Sequence, residues 1–197
     1  MNGKLLLGAL LLLPLLLMAG LMAFAPTAGV EVEADQPLEV REDVAIAACD
    51  APFNIYYEYS AGAEMNCEVQ DGRHVMVVRT PVPVGDSRAR LREKGAVWSF
   101  RPHHSRRFAG QMVRVEISGS CDGCDGNAKA IYATGSRGNS GWQVVDLQPE
   151  RQVFAFEYSV PAIGDGDDGP GPSIILNSGA PEAVMYIDRI MITGAGE

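Results

Sequence analysis

The feature that most constrains the fold of this chain is a series of short β-forming segments separated by turn signals. The segments are 54–59, 73–79, 96–100, 112–118, 128–134, 142–147, 152–160, 173–177 and 184–192. In the segment 112–118, Val113, Val115 and Ile117 alternate with charged residues, as in a half-buried strand. Long helical periodicity is absent, and the chain has 22 glycines and 12 prolines. The pattern predicts an all-β protein, a β-sandwich of the jelly-roll type, with no helix in it.

The last of these segments contains an irregularity. Its alternation of apolar residues slips by one position near Asp188 and Arg189. An extra residue inserted into one strand of a pair produces such a slip, so the sequence predicts a β-bulge at this point.

The N-terminus carries an uncharged apolar run, residues 5–25. A helix of this length spans about 30 Å, the thickness of the hydrocarbon core of a bilayer. Lys4 is the only charged residue before the run, which predicts that the N-terminus lies in the cytoplasm and the domain outside. Pro26 follows a small-residue pattern at 23–25 and opposes cleavage there. An uncleaved transmembrane signal anchor is therefore favoured, and a cleaved signal sequence is the alternative.

The domain organisation and the location follow from this run. Residues 1–25 form the anchor or signal sequence. Residues 26–48 are acidic and poor in aromatic residues, as a linker is, and residues 49–197 form the β-sandwich domain. The predicted protein spans the membrane once, with its C-terminal domain in the periplasm or at the cell surface; a secreted protein is the alternative. The net charge of −9 disfavours binding to nucleic acid.

The four cysteines are Cys49, Cys67, Cys121 and Cys124. An even number of cysteines outside the cytoplasm indicates two disulfides, and three pairings are possible. The economical pairing joins Cys49 to Cys67 and Cys121 to Cys124. A redox pair at Cys121–Cys124 and a four-cysteine zinc site are the alternatives, but the glycines and aspartates around Cys121 are untypical of a redox helix.

Basic and aromatic residues suggest a ligand-binding surface. Seven of the chain's 16 basic residues fall between positions 88 and 107, where the only acid is Glu93. This stretch is either a set of solvated faces or a patch for an anionic glycan or lipid headgroup. The candidate ligand-binding residues are two tryptophans that could stack on sugar rings and four residues of a predicted polar loop: Trp98, Trp142, His103, His104, Arg106 and Arg107. For both tryptophans the alternative is a place in the core.

The segment 164–169 formally matches GxGxxG, but no strand–helix context surrounds it and its aspartates would repel phosphates. Asp165 and Asp167 could instead bind calcium through their carboxylates, although Leu176 stands where an EF-hand needs glutamate. A flexible acidic loop is the alternative. Motifs of hydrolases, metalloproteases and P-loop proteins are missing, so no enzymatic activity is expected.

Three segments resemble galactose-binding-like jelly rolls, a family that includes carbohydrate-binding modules. They are RFAGQMVRVEIS at 107–118, GWQVVDL at 141–147 and VMYIDRIMI at 184–192, and they occur in the family's order. The resemblance implies a jelly-roll fold over residues 95–193. It also implies a structural calcium, for which Asp188 would be a ligand. No hydrolase accompanies this domain, which favours a role in the cell envelope over binding of plant polymers.

The sequence therefore predicts a noncatalytic, membrane-anchored, extracytoplasmic carbohydrate-binding module that recognises envelope or exported glycan. The alternative is a structural or protein-interaction subunit of an envelope or secretion assembly, with a protein partner. A redox or hydrolytic enzyme is a third hypothesis with less support.

Overall fold

Two antiparallel β-sheets pack face to face around one apolar interior. The computed structural model describes residues 44–50, 55–58, 63–80, 84–86, 89–164 and 170–194. These residues confirm the predicted two-sheet, mostly β architecture, and the strands at 73–79, 96–100 and 173–177 have the predicted bounds.

The first sheet has six strands. Its order is β3-β4-β11-β6-β9, and β1 pairs with the C-terminal half of β11, where β4 no longer does. Its strands are β1 (Val44–Ala47), β3 (Glu64–Gln70), β4 (Arg73–Arg79), β6 (Met112–Asp122), β9 (Gln152–Ser159) and β11 (Val184–Gly194).

The second sheet has five strands in the order β2-β5-β10-β7-β8. The strands are β2 (Ile55–Glu58), β5 (Ala96–Phe100), β7 (Lys129–Ala133), β8 (Gln143–Val144) and β10 (Ser173–Asn177). Every residue of β5 and of β10 is buried. This sheet is therefore covered on both faces, whereas β6 of the first sheet alternates between buried and accessible residues along most of its length.

The predicted bulge lies in β11. Its register against β6 shifts between Ile187 and Arg189, so Ile187 and Ile190 are both buried although they are three positions apart. Gly119 of β6 faces this irregularity, and a Cβ at that position would collide with the backbone oxygen of Tyr186. The bulge thus lets β11 keep one apolar face toward the interior over eleven residues.

Residues 103–107, predicted to be a loop, lie in the helix α1 (Pro102–Phe108). The loop prediction was wrong because a helix of seven residues is too short to show periodicity. Local signals agree with the helix: Pro102 occupies its first turn, and His104 and Phe108, four residues apart, bury one face. Two 3-10 turns, Leu91–Lys94 and Gly135–Arg137, complete the helical structure of the described residues.

The linker predicted at 26–48 extends too far. Residues 44–47 form β1, and Ala45 and Ala47 are fully buried against β11. Four apolar residues without a preceding turn signal are too short a pattern to identify as a strand. The strand β3 was also missed, because most of its side chains are accessible and its alternation is weak.

Both disulfides of the economical pairing are present. Cys49 is joined to Cys67, which connects the turn after β1 to β3, and their Cα atoms are 5.8 Å apart. Cys121 is joined to Cys124 across the turn between β6 and β7. The described residues contain no free cysteine.

The predicted anchor, residues 1–25, lies outside the described residues. Within the part of the chain that the structure does describe, no helix has both the length and the apolar character needed to cross a membrane.

Candidate functional site

The candidate site lies on the outer face of the five-stranded sheet, which points away from the six-stranded sheet. Antiparallel pairing places Ser99 of β5 and Ala133 of β7 on either side of Ser173 of β10. The next row along the strands is apolar and consists of Val97, Ile175 and Ile131. Directly paired residues share a face of the sheet, so a row with two hydroxyls adjoins a row of aliphatic side chains.

Two half-buried side chains cover the aliphatic row. Leu91, from the 3-10 turn before β5, and Trp142, from the residue before β8, pack against Val97, Ile131 and Ile175. The three aliphatic side chains are at most 2% exposed. The outer face therefore has an apolar cluster of its own, separate from the interior of the sandwich.

A cavity of about 420 Å³ adjoins this cluster, and we call it the outer groove. Its size is within the range of sites for small molecules. One side is the segment 90–93, the floor is Ser173 and Ile175, and the other side is formed by Ala133, Gly135, Pro170 and Gly171. Gly171 approaches the backbone of Phe100 so closely that a Cβ at position 171 would collide with it. The wall therefore carries no side chain at this point.

The polar groups of the outer groove are centred on Arg92. Its Nη2 donates to Ser99 Oγ at 2.5 Å and to Ser173 Oγ at 3.3 Å, and the two hydroxyls are 3.2 Å apart. The turn that carries Arg92 is fixed at both ends. The backbone N–H of Arg90 donates to Glu93 Oε2 at 2.8 Å, and the backbone oxygen of Lys94 accepts from Asn177 Nδ2. A guanidinium and two hydroxyls are thus held in place beside an apolar surface.

The structure places the two tryptophans that were predicted to bind ligand in different environments. Trp142 is half-buried against the aliphatic row of the outer face, although it is not among the residues that line the outer groove. Trp98 is fully buried between the sheets, where its Nε1 donates to Met76 Sδ at 3.3 Å. The assignment of Trp98 to ligand binding was therefore wrong: its side chain points to the interior face of β5, and no ligand can reach it.

The residues of the predicted basic loop also lie in different environments. His103, Arg106 and Arg107 are exposed on α1. His104 is buried between the rings of Phe100 and Phe108, and neither ring nitrogen has a hydrogen-bond partner among the described residues. Burial, with smaller contributions from His103 and Arg101, lowers the pKa of His104 to about 4. His104 was wrongly predicted to contact a ligand; it is a neutral core residue.

The helix α1 contacts one wall of the outer groove through a buried residue. Ser105 Oγ donates at 2.6 Å to the backbone oxygen of Pro170, which lines the groove. The helix is therefore attached to the same wall, but the structure does not bring His103, Arg106 or Arg107 into the lining of the cavity.

The predicted calcium ligands do not form a cluster in the described residues. Asp188 forms an ion pair with Arg151 and accepts a hydrogen bond from Ser118 Oγ at 3.5 Å. No group of three or more histidine, cysteine, aspartate or glutamate side chains suited to a metal occurs in the part of the chain described. Asp165 and Asp167 lie outside the described residues, so calcium binding stays a prediction.

Sequence reasoning missed Leu91, Ser99, Ser173 and the aliphatic row. One signal was available: AVWSF at 96–100 and SIILN at 173–177 lack the polar alternation of a one-sided strand, which indicates burial on both faces. Arg90 and Arg92 belong to the basic stretch that the sequence singled out, but their position could not be predicted.

Carbohydrate-binding modules are among the solved structures to which this chain is similar. The tandem CBM22-1–CBM22-2 domain of Xyn10C from Paenibacillus barcinonensis matches with a TM-score of 0.52 and 10% identity. The match covers 82% of this chain and 48% of that one, so this chain spans about half of the tandem.

This chain is similar in fold to the jelly rolls of carbohydrate-binding modules. The resemblance seen in the sequence is confirmed at this level.

Two further structures match at lower scores. The CBM22-1 xylan-binding domain of the same Xyn10C has a TM-score of 0.47 and 10% identity, over 73% of this chain and 87% of that one. A CBM6 module of Cellvibrio mixtus lichenase 5A, solved with cellotriose, has a TM-score of 0.43 and 9% identity, over 71% and 92%. No protein-family model and no curated protein matches the sequence.

Proposed function

We propose that this protein is a noncatalytic glycan-binding module and that the outer groove is its binding site. The observation that carries the proposal is the pairing of an apolar surface with fixed polar groups in one cavity. Sugars present both kinds of surface, because a pyranose ring has apolar C–H faces and a rim of hydroxyls.

The apolar part of the groove suits a sugar face. Trp142 and Leu91 are half-buried, so each retains accessible surface above the aliphatic row. Leu91 lines the cavity and Trp142 covers the aliphatic row that the cavity adjoins, so a sugar that extends along this row can stack on the indole. The burial of Val97, Ile131 and Ile175 beneath keeps Trp142 and Leu91 in position without the ligand, which reduces the entropy lost on binding.

The polar part suits hydroxyls. Arg92 Nη2 already bonds to Ser99 and Ser173, so the groove presents a guanidinium whose orientation is set by the floor of the sheet. Both serine hydroxyls can donate and accept, as a sugar hydroxyl can. A ligand hydroxyl can therefore join this hydrogen-bond network.

The location we propose is the outer side of a membrane, with the domain anchored by residues 1–25. The apolar run and the single Lys4 before it support this orientation. The two disulfides agree with an oxidising compartment, since such bonds are uncommon in the cytoplasm. The ligand would then be a glycan of the envelope or an exported polysaccharide.

The test is a binding screen of the full-length chain, extracted in mild detergent, against envelope and exported polysaccharides, followed by calorimetry. Trp142→Ala and Arg92→Gln are expected to weaken binding at least tenfold, while Arg73→Gln on the distant hairpin of β3 and β4 is the matched control. No binding by a demonstrably folded protein, or equal binding by all variants, would reject the proposal. Repeating the screen with and without calcium tests the predicted cofactor.

A structural or protein-interaction subunit is the second candidate. It is supported by β9, an eight-residue edge strand of the six-stranded sheet among the described residues, on which Val153 is 65% exposed. An accessible edge of this kind can pair with a strand of another protein. Copurification with one stoichiometric partner, lost on Val153→Lys, would favour this candidate over glycan binding.

A further inference from the structure

A second cluster of polar groups lies between the sheets, at the edge where β7 and β9 face each other. Tyr132 of β7 and Tyr158 of β9 pack there with ring centroids 5.5 Å apart. Tyr132 is fully buried, and its hydroxyl has no hydrogen-bond partner in the part of the chain that the structure describes. Burial raises the pKa of Tyr132, so this hydroxyl keeps its proton and is available as a donor.

Arg137 brings a positive charge to the same edge. It ends the 3-10 turn Gly135–Arg137, and both of its terminal nitrogens, Nη1 and Nη2, are buried without a partner among the described residues. The charge is close enough to Tyr132 to oppose the effect of burial on the tyrosine pKa. A guanidinium normally uses two of its nitrogens together to bind an anion through two parallel hydrogen bonds.

The position of Arg137 is fixed by its neighbours. Thr134 donates to the backbone oxygen of Gly138 through its N–H at 3.0 Å and through Oγ1 at 2.9 Å, which closes the loop around Arg137. Gly138 has a φ of +128°, and a Cβ there would lie 3.4 Å from Tyr158 Oη. The loop is therefore seated directly against the tyrosine pair, and Arg137 is held beside it.

A buried guanidinium without a counter-charge is strongly unfavourable, because its hydration is lost and nothing replaces it. The groups that meet here are two N–H arms, which can only donate, and one phenolic O–H, which can donate its proton as well as accept. We propose that this edge of the sandwich is a binding site for a small monovalent anion, chloride, held by Arg137 Nη1 and Nη2 and by the hydroxyl of Tyr132.

The class of anion follows from burial and charge. The nitrogen atoms are shielded from solvent, so a polymer or a large organic anion has no access to them. A single guanidinium is neutralised by one negative charge, and chloride accepts several hydrogen bonds without donating any. Because Gly135 of the same turn lines the outer groove, the anion would also hold one wall of that groove.

The test is thermal unfolding of the full-length chain in detergent at constant ionic strength, with gluconate replaced stepwise by chloride or bromide. Binding to the folded state alone is expected to raise the Tm by about 3 °C at about 150 mM chloride, with saturation. Arg137→Gln is expected to abolish the difference between the anions. Arg73→Gln, at an exposed arginine, is the matched control and is expected to keep it.

Two further measurements keep the test decisive if Arg137→Gln does not fold. Tyr132→Phe keeps the ring and removes one donor, so the chloride concentration at half-saturation is expected to rise severalfold. In crystals soaked in bromide, an anomalous peak is expected within hydrogen-bond distance of Arg137 Nη1 and Nη2. Equal Tm values in gluconate and chloride, a chloride effect that survives Arg137→Gln, or no bromide peak at Arg137 would each overturn the proposal.

Discussion

The two faces of the five-stranded sheet are built from alternate residues of the same three strands, yet they are closed in different ways. On the inner face, Trp98, Ile174 and Tyr132 are sealed by a complete second sheet. On the outer face, Val97, Ile175 and Ile131 are covered by two half-buried side chains, Leu91 and Trp142. The centre of the outer face is therefore as well shielded from water as the inner face. However, only two side chains cover it, and a cavity lies beside it.

Because of this difference, stability and ligand binding should depend on different residues. A sugar chain cannot compete with a whole sheet for the inner face, but it can add to a cover made of two side chains. Substitutions inside the sandwich should therefore change the free energy of unfolding, and substitutions in the outer cover should change affinity with a smaller change in stability.

The largest effect is expected inside. Trp98→Ala removes a fully buried indole and its contact with Met76 Sδ, so the free energy of unfolding should fall by about 4 kcal/mol. Urea unfolding followed by circular dichroism measures it, with Trp98→Phe as the milder control. A loss below about 1 kcal/mol would mean that the interior is much less tightly packed than the contacts indicate.

The second effect depends on pH. The pKa of His104 is about 4 in the folded protein and about 6.5 when unfolded. Between these values the unfolded chain binds a proton that the native state does not, so stability should fall as the pH is lowered from 6.5 to 4, by up to about 3 kcal/mol. His104→Phe should remove this part of the pH dependence, whereas His103→Phe should reduce it only slightly, since His103 makes one of the smaller contributions to the lowered pKa of His104. Identical pH profiles for all three proteins would contradict the neutral core assignment.

The third effect compares neighbours on opposite faces. Ile174 and Ile175 are both fully buried, one toward each face. Ile174→Ala should reduce stability by about 3 kcal/mol, and Ile175→Ala by about 2 kcal/mol because the thin cover can relax into the space. Chemical denaturation of the two variants side by side measures the difference. If Ile175→Ala were nearly neutral, the outer cluster would not be a core at all.

The smallest effect on stability, and the largest on binding, is expected in the cover. Trp142→Ala should lower the free energy of unfolding by about 1 kcal/mol, since the side chain is only half-buried, and should weaken glycan binding at least tenfold. Differential scanning calorimetry and titration of the bound polysaccharide report the two quantities separately. A variant that lost stability but kept its affinity would place the ligand elsewhere.

Much of the fold was predictable because the signals for it are local. Strands such as 73–79 and 96–100 are continuous β-forming runs, and the slip at Asp188 and Arg189 predicted the bulge. The short β1, the weakly patterned β3 and the helix α1 were missed because four to seven residues carry too little periodicity.

The site was less predictable because it depends on pairing between distant strands. Ser99 and Ser173 meet Arg92 only because β5 lies next to β10, and no local pattern near any of the three indicates it. The two tryptophans show the same limit. Both precede or occupy apolar strand segments, and only the register places Trp98 inside and Trp142 outside. Arg137, an isolated arginine between glycine and serine, carried no signal of burial.

The disulfide between Cys49 and Cys67 has a mechanical consequence. Tension applied from the N-terminal side would first act on β1, whose four residues pair with β11. Once β1 has detached, the disulfide passes the load directly to β3, and the residues between the two cysteines, which are 18 positions apart, cannot be pulled out. With the disulfide intact, only the few residues of β1 would detach before the domain resisted further extension. With the disulfide reduced, unfolding would continue from the same end.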